Sequence, residues 1–182
     1  MRKGRKALDA HKIFKHADRF HWTDDYLRRH TDQRVIEMII LPTMVLAAFA
    51  AELYLKCLHC IDSNEVPPGH SLKQLFERLP KLRRDAIVAL WDDLMAEQKE
   101  MLDRRDADFG TKIPRDFKTS IAESDRGFEN LRYVYEDDKF KFYMADLALV
   151  LRKIILKIHP TWGSMKRDPD VDPQTRSTSH SR

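Results

Sequence analysis

Glu52 and Lys56 stand four residues apart inside a strongly apolar run, MVLAAFAAELYLKCLHCID, from Met44 to Asp62. On a helix that spacing sets a carboxylate beside an ammonium, in the favoured order. His70 follows a polar break, SNEVPPGH, at the head of a second amphipathic stretch, SLKQLFERL. Two roles are open for this polar group. One is a structural ion pair at the edge of the core, reached by His70 or Arg132. The other is a polar pocket between helices that receives a nucleotide or an RNA phosphate. Lys56, His70, Lys73 and Arg132 would then meet phosphate while Tyr133 stacks on a base.

Cys57-Leu58-His59-Cys60 is a second constellation. As a zinc site it needs more ligands, and the nearest candidate is His70. As a redox motif it lacks a strand-to-helix setting. Small residues filling a helix interface account for it more simply, so no metal and no cofactor is implied. No glycine-rich phosphate loop, H-E-x-x-H helix or nucleophile elbow occurs.

The elements that must hold these residues are helical. Only 5 glycines fall in 182 residues, and long stretches lack both Gly and Pro. Residues 1–10 read as loose, and the apolar spacing from Leu8 to Leu27 is irregular, so a partial helix is expected there, with Thr23 as a cap. A helix starts near Thr31 or Asp32. Pro42 should kink it or force a new start at Thr43. Its core positions from Val45 onward are Leu46, Phe49, Ala50, Leu53, Cys57 and Ile61, and alanines 47, 48, 50 and 51 permit close approach of a neighbour. Ser71 caps the next helix, with Gln74 completing an S-x-x-Q box. One long helix is expected from Leu82 to Asp103, then a loop to Pro114. A further helix carries Phe117, Ile121, Phe128 and Leu131. The last spans Met144 to His159, burying Leu147, Leu151, Ile154, Ile155 and Ile158.

These elements predict an all-α protein: a single helical bundle of five to seven helices, the central one kinked at Pro42. The chain divides into a basic N-terminal arm at 1–30, partly helical, a bundle at 31–162, and a disordered polar tail at 163–182. The arm holds nine Lys/Arg against four Asp/Glu, a net of +5, which leaves about −1 for the rest of a +4 chain. Such a segment attracts nucleic acid or an acidic partner, or is an ordinary solvated terminus. Two cysteines make no secreted disulfide framework, and the opening residues lack an apolar signal region. The longest charge-free run, Met38 to Ala51, is 14 residues, short for a membrane span. A soluble cytoplasmic protein without a membrane role is expected.

The motifs AAFAAELYLKCL from Ala47, GHSLKQLFERL from Gly69 and FENLRYVYE from Phe128 resemble those of the HEPN superfamily, over roughly residues 31–160. The resemblance implies a dimerising helical core. Members include metal-independent ribonucleases of toxin and defence systems, partners of nucleotidyltransferases, and inactive binding modules. The ribonucleases carry an Arg followed after four to six residues by His, which serve in-line attack by a ribose hydroxyl. Arg5…His11 and Arg152…His159 fit that spacing. With 18 arginines and 8 histidines, chance alone yields about two such matches, so the count does not decide for catalysis. Arg152 and His159 are the candidate catalytic pair because the family places its motif on a late helix. The reading is a HEPN-like binding or regulatory module, a homodimer, taking RNA or nucleotide in a toxin–antitoxin or defence setting. The alternatives are an active ribonuclease and a helical adaptor that binds only a protein partner.

Overall fold

A computed structural model describes residues 8–110, 112–126, 131–133 and 143–163. The described residues form seven α-helices: α1 Ala10–His30, α2 Ile36–Ser63, α3 Leu72–Glu77, α4 Lys81–Glu97, α5 Lys99–Phe109, α6 Phe117–Glu123 and α7 Leu147–Ile158. Short 3-10 turns occur at Gln33–Val35, Leu131–Tyr133 and Pro160–Gly163. The described residues contain no strand. The protein is an all-α bundle, as its composition and periodicity predict.

The long central helix α2 packs against α1, α3 and α7, and α7 is backed by α4. Alanines 47, 48, 50 and 51 are fully buried, so neighbouring backbones approach α2 closely there. The buried set continues with Tyr54, Leu55, Cys57 and Leu58, whereas Leu46, Phe49, Leu53 and Ile61 are only partly covered. The core face is therefore rotated from the expected stripe. The expectation followed the largest aliphatic side chains, while close packing selects the small ones and a tyrosine whose hydroxyl is bonded.

Pro42 lies inside α2, which runs unbroken from Ile36 to Ser63, so no new helix starts at Thr43. The missing proline N–H falls in a turn where Met38, Ile40 and Leu41 are exposed and water can serve the freed carbonyl. The stretch Met38–Ser63 is long and apolar enough to cross a membrane by length and composition. Core helices share that property, and its second half is buried inside the bundle. Glu52, which ends the charge-free run, lies inside the helix, its charge met by partners on the protein.

The arm drawn at residues 1–30 is not separate from the bundle. From Ala10 it is one 21-residue helix, capped by Asp9, whose carboxylate accepts from the Lys12 amide at 3.1 Å. Phe14 and Ala17 are in the core. Thr23 lies within the helix, its hydroxyl donating to the Arg19 carbonyl at 2.8 Å. The apolar spacing looked irregular because Asp18 and Asp24 occupy buried positions of the stripe. Residues 1–7 and 164–182, most of the proposed tail, lie outside the described residues.

Two further boundaries differ. The helix expected at 82–103 breaks at Gln98 (φ −90°, ψ 3°), and α5 then continues to Phe109. Gly110, at φ 62°, ends it in the left-handed conformation that glycine adopts without cost. The helix expected through Phe128 and Leu131 stops at Glu123; Phe128 and residues 134–142 lie outside the described residues.

Ser71 caps α3 as its motif predicts. Its Oγ accepts from the Gln74 amide at 3.1 Å and donates to Asp125 at 2.7 Å, and Asp125 also accepts from the Lys73 amide. Ser71→Ala removes a cap and a tie between α3 and the turn after α6. A loss of about 1–2 kcal/mol is expected from the shift in urea midpoint.

Candidate functional site

Polar side chains gather at two places on α2, and both depend on a buried carboxylate. The first is built by α1, α2 and α7. Asp18 is 1% exposed. Its Oδ1 accepts from the Tyr54 hydroxyl at 2.6 Å and from Arg152 Nε at 2.6 Å, with Arg152 Nη2 at 3.5 Å from Oδ2. A charge so deep in the core is tolerable only because a fixed cation and a hydroxyl meet it. Burial, reinforced by Asp18, pushes the Tyr54 phenol far above its usual range, so it remains a donor.

One turn beyond Asp18, His21 sets its ring 6.1 Å from that of Tyr54. His21 Nδ1 is buried and has no hydrogen-bond partner among the described residues. Burial, helped by the nearby Arg152 charge, holds its pKa below that of ordinary histidine. The ring lies against a cleft of about 440 Å³ between the second half of α1 and the start of α7. Exposed Trp22 and Tyr26 line it together with Arg28, Arg29, His30 and Arg152. Asp24, Asp25 and Asp146 line it as well. Arg28 pairs with Asp24 at 2.6 Å and Arg29 with Asp25 at 2.8 Å, both one helical turn apart. Burial raises the Asp24 pKa, against the pull of Arg28.

The second place is the Glu52 group. Glu52 is 1% exposed and accepts from Lys56 Nζ at 2.8 Å. His70 Nδ1 lies 3.0 Å from both carboxylate oxygens. A carboxylate only accepts, so Nδ1 carries the proton. The structure therefore joins three sequence-selected residues, Glu52, Lys56 and His70, as a structural ion pair reached by the histidine. Lys73 is set apart, its ammonium 3.9 Å from Glu77. Tyr133 is half exposed. The Arg132 side chain lies outside the described residues. Lys56 and His70 thus spend their donors on Glu52.

Arg152 and His159 are turned to different tasks. Seven residues of helix separate them by about 10 Å along the axis. Arg152 is held on Asp18, while His159 closes α7 and stacks on Trp162 at 4.0 Å and 7°. Trp162 also stacks on His11 at 4.9 Å. His159 thereby fastens the end of α7 to α1. Arg5, the other candidate arginine, lies outside the described residues.

Cys57 and Cys60 are buried free thiols. Burial pushes the Cys57 thiol up to about 12, which leaves it unreactive. Its S–H donates to the Ala10 carbonyl at 3.3 Å, and His59 Nε2 donates to the Leu75 carbonyl at 2.8 Å. The motif packs α2 against α1 and α3. Among the described residues no three His, Cys, Asp or Glu side chains are placed to hold a metal ion. An apolar depression of about 460 Å³ between α3, α4 and α6 is floored by Phe76, Val88 and Phe117, and no buried polar group converges on it.

Sequence reasoning missed Asp18, His21 and Tyr54. The one available signal was that Asp18 and His21 continue the stripe begun by Phe14 and Ala17, as polar residues on a buried face. No family model, curated protein or solved structure matches this chain.

Proposed function

We propose that the protein is a HEPN-like binding or regulatory module that takes a phosphate-bearing ligand, an RNA strand or a nucleotide, in the cleft between α1 and α7. The observation that carries this reading is the joint exposure of Trp22 and Tyr26 beside Arg28, Arg29 and Arg152 along one cleft. Aromatic faces stack on bases of any sequence, and guanidinium groups meet phosphate. Of the three arginine–aspartate pairs, Arg29–Asp25 is exposed, and such a pair contributes only about 0–1 kcal/mol, so a phosphate can displace it; Arg28 and Arg152 stay on the buried Asp24 and Asp18 and offer a phosphate their remaining guanidinium N–H groups. The sequence motifs shared with HEPN proteins, and their defence or toxin–antitoxin contexts, support the same reading by analogy.

The cleft is favoured over the pocket of Lys56, His70, Lys73, Arg132 and Tyr133 because it sets two exposed aromatic side chains, Trp22 and Tyr26, beside its guanidinium groups, whereas Lys56 and His70 are gathered on the buried Glu52. The ribonuclease alternative lacks comparable support within one chain: His159 is stacked on Trp162 rather than facing Arg152's neighbours. A labelled oligouridylate tests the reading. The intact protein is expected to bind it at 50 mM salt, with affinity falling steeply as salt rises. Arg28→Ala with Arg29→Ala should weaken binding about tenfold and lower the salt slope by about 2. Absence of binding at low salt would point to the protein adaptor instead.

A further inference from the structure

We propose that His21 is a specificity-determining residue of the α1–α7 cleft, taking up a proton as an anionic ligand enters and so making the site favour phosphate and bind it more tightly in mild acid. The inference rests on the cleft being the ligand site. It starts from position. His21 is on the cleft wall, yet Nδ1 is buried and has no partner among the described residues. A neutral imidazole tolerates one buried nitrogen as an unused lone pair far better than an imidazolium tolerates a buried N–H without an acceptor. The ligand-free pocket therefore keeps His21 neutral.

The surroundings divide into groups that oppose and groups that favour the charged ring. Arg152, from α7, opposes it. Asp18 and Asp25 on α1 and Asp146 at the head of α7 favour it, while Tyr54 on α2 faces it as a neutral phenol. Asp18 is spent on Arg152 and Tyr54, and Asp25 on Arg29. Burial is the largest influence on the ring and, with Arg152, favours the neutral form. A phosphate bound beside Arg152 offsets that opposing charge and adds a favouring one. Opposite charge within about 4–6 Å raises a histidine pKa by roughly 1–3 units. Proton uptake must then accompany binding, and by linkage affinity rises as pH falls through the range where the bound form holds the proton and the free form does not. A neutral ligand gains nothing from this coupling.

The test uses the full chain and a ten-nucleotide oligouridylate carrying a pH-insensitive rhodamine dye. Its phosphodiesters keep the same charge between pH 5.5 and 7.5, so any pH dependence belongs to the protein. Binding is followed by fluorescence anisotropy at fixed salt. Affinity of the unaltered protein is expected to rise about tenfold from pH 7.5 to 5.5, the equivalent of one pKa unit. His21→Gln should bind with less than threefold change over that range. A His21→Gln protein that keeps the full tenfold dependence overturns the proposal, while the binding site itself stands. Binding by the unaltered protein that is flat with pH overturns it equally. Failure of the unaltered protein to bind at any pH removes the cleft reading and this inference with it. Should His21→Gln not fold, Asp146→Asn serves: Asp146 bonds no backbone N–H as a cap, so α7 does not depend on it. Its pH profile should move to lower pH, and a profile identical to that of the unaltered protein overturns the proposal.

Discussion

Asp18→Ala is expected to lower the free energy of unfolding by about 3–5 kcal/mol, the range for removing one partner of a buried ion pair. Tyr54 is fully buried and its hydroxyl donates to Asp18 at 2.6 Å. Arg152 donates to the same oxygen at 2.6 Å. Alanine leaves a phenol and a guanidinium without their acceptor, and the charge is the costlier orphan. Asp18→Asn keeps the shape and one oxygen but not the charge, so it should cost less. Asp18→Ala combined with Arg152→Met and Tyr54→Phe removes all three polar groups and should recover much of the loss. Urea unfolding of the four proteins measures this. If the triple variant is as unstable as Asp18→Ala, the cost is a cavity rather than stranded polar groups. The coupling would also show in the cleft, because Arg152 is placed there by Asp18.

The bundle was legible because its signals are local and redundant. Ser71 with Gln74 marks a helix start, and the stripe Leu147–Leu151–Ile154–Ile155 a buried face, and each appears where expected. The Glu52–Lys56 pair was legible for the same reason, since both residues lie on one helix. The Asp18–Tyr54–Arg152 cluster was not. Its members are 36 and 134 residues apart from Asp18, on three helices, and only tertiary packing joins them. Placing polar residues on a buried stripe also hid α1 itself, because Asp18, His21 and Asp24 break the apolar pattern that periodicity relies on. The same mechanism explains why sequence alone selects Arg152 as a catalytic candidate. Its spacing to His159 is visible in sequence, whereas its partner Asp18 is not. The split of α4 from α5 at Gln98 has no breaker residue to announce it.

Glu52→Ala is expected to destabilise the protein by about 3 kcal/mol, at the lower edge of the range for breaking a buried charge pair. Glu52 links the two halves of the opening motif: Lys56 one turn along α2, and His70 eighteen residues away at the entry to α3. Removing it strands Lys56, whose side chain is 14% exposed. The four-carbon stem lets the ammonium reach water, which places this loss below that expected for Asp18. His70 is 44% exposed at its side chain and loses little by itself. What it loses is the hold on the chain between α2 and α3, so amide exchange should quicken from Asn64 to Ser71 as well as the global midpoint falling. Lys56→Met in the Glu52→Ala background should restore part of the stability by removing the stranded charge, and His70→Ala in that background should change little. A uniform loss of exchange protection across α2, with no excess at 64–71, would show that Glu52 supports the core generally and not the α2–α3 connection. Because this carboxylate already holds the Lys56 ammonium and the His70 ring, Glu52→Ala should also strengthen any phosphate binding at Lys56 and His70, opposite in sign to the loss expected at the α1–α7 cleft from the arginine variants. Oligouridylate affinity measured on Glu52→Ala thus separates the two candidate sites: a gain assigns ligand binding to the α2–α3 group, and no change leaves it to the cleft.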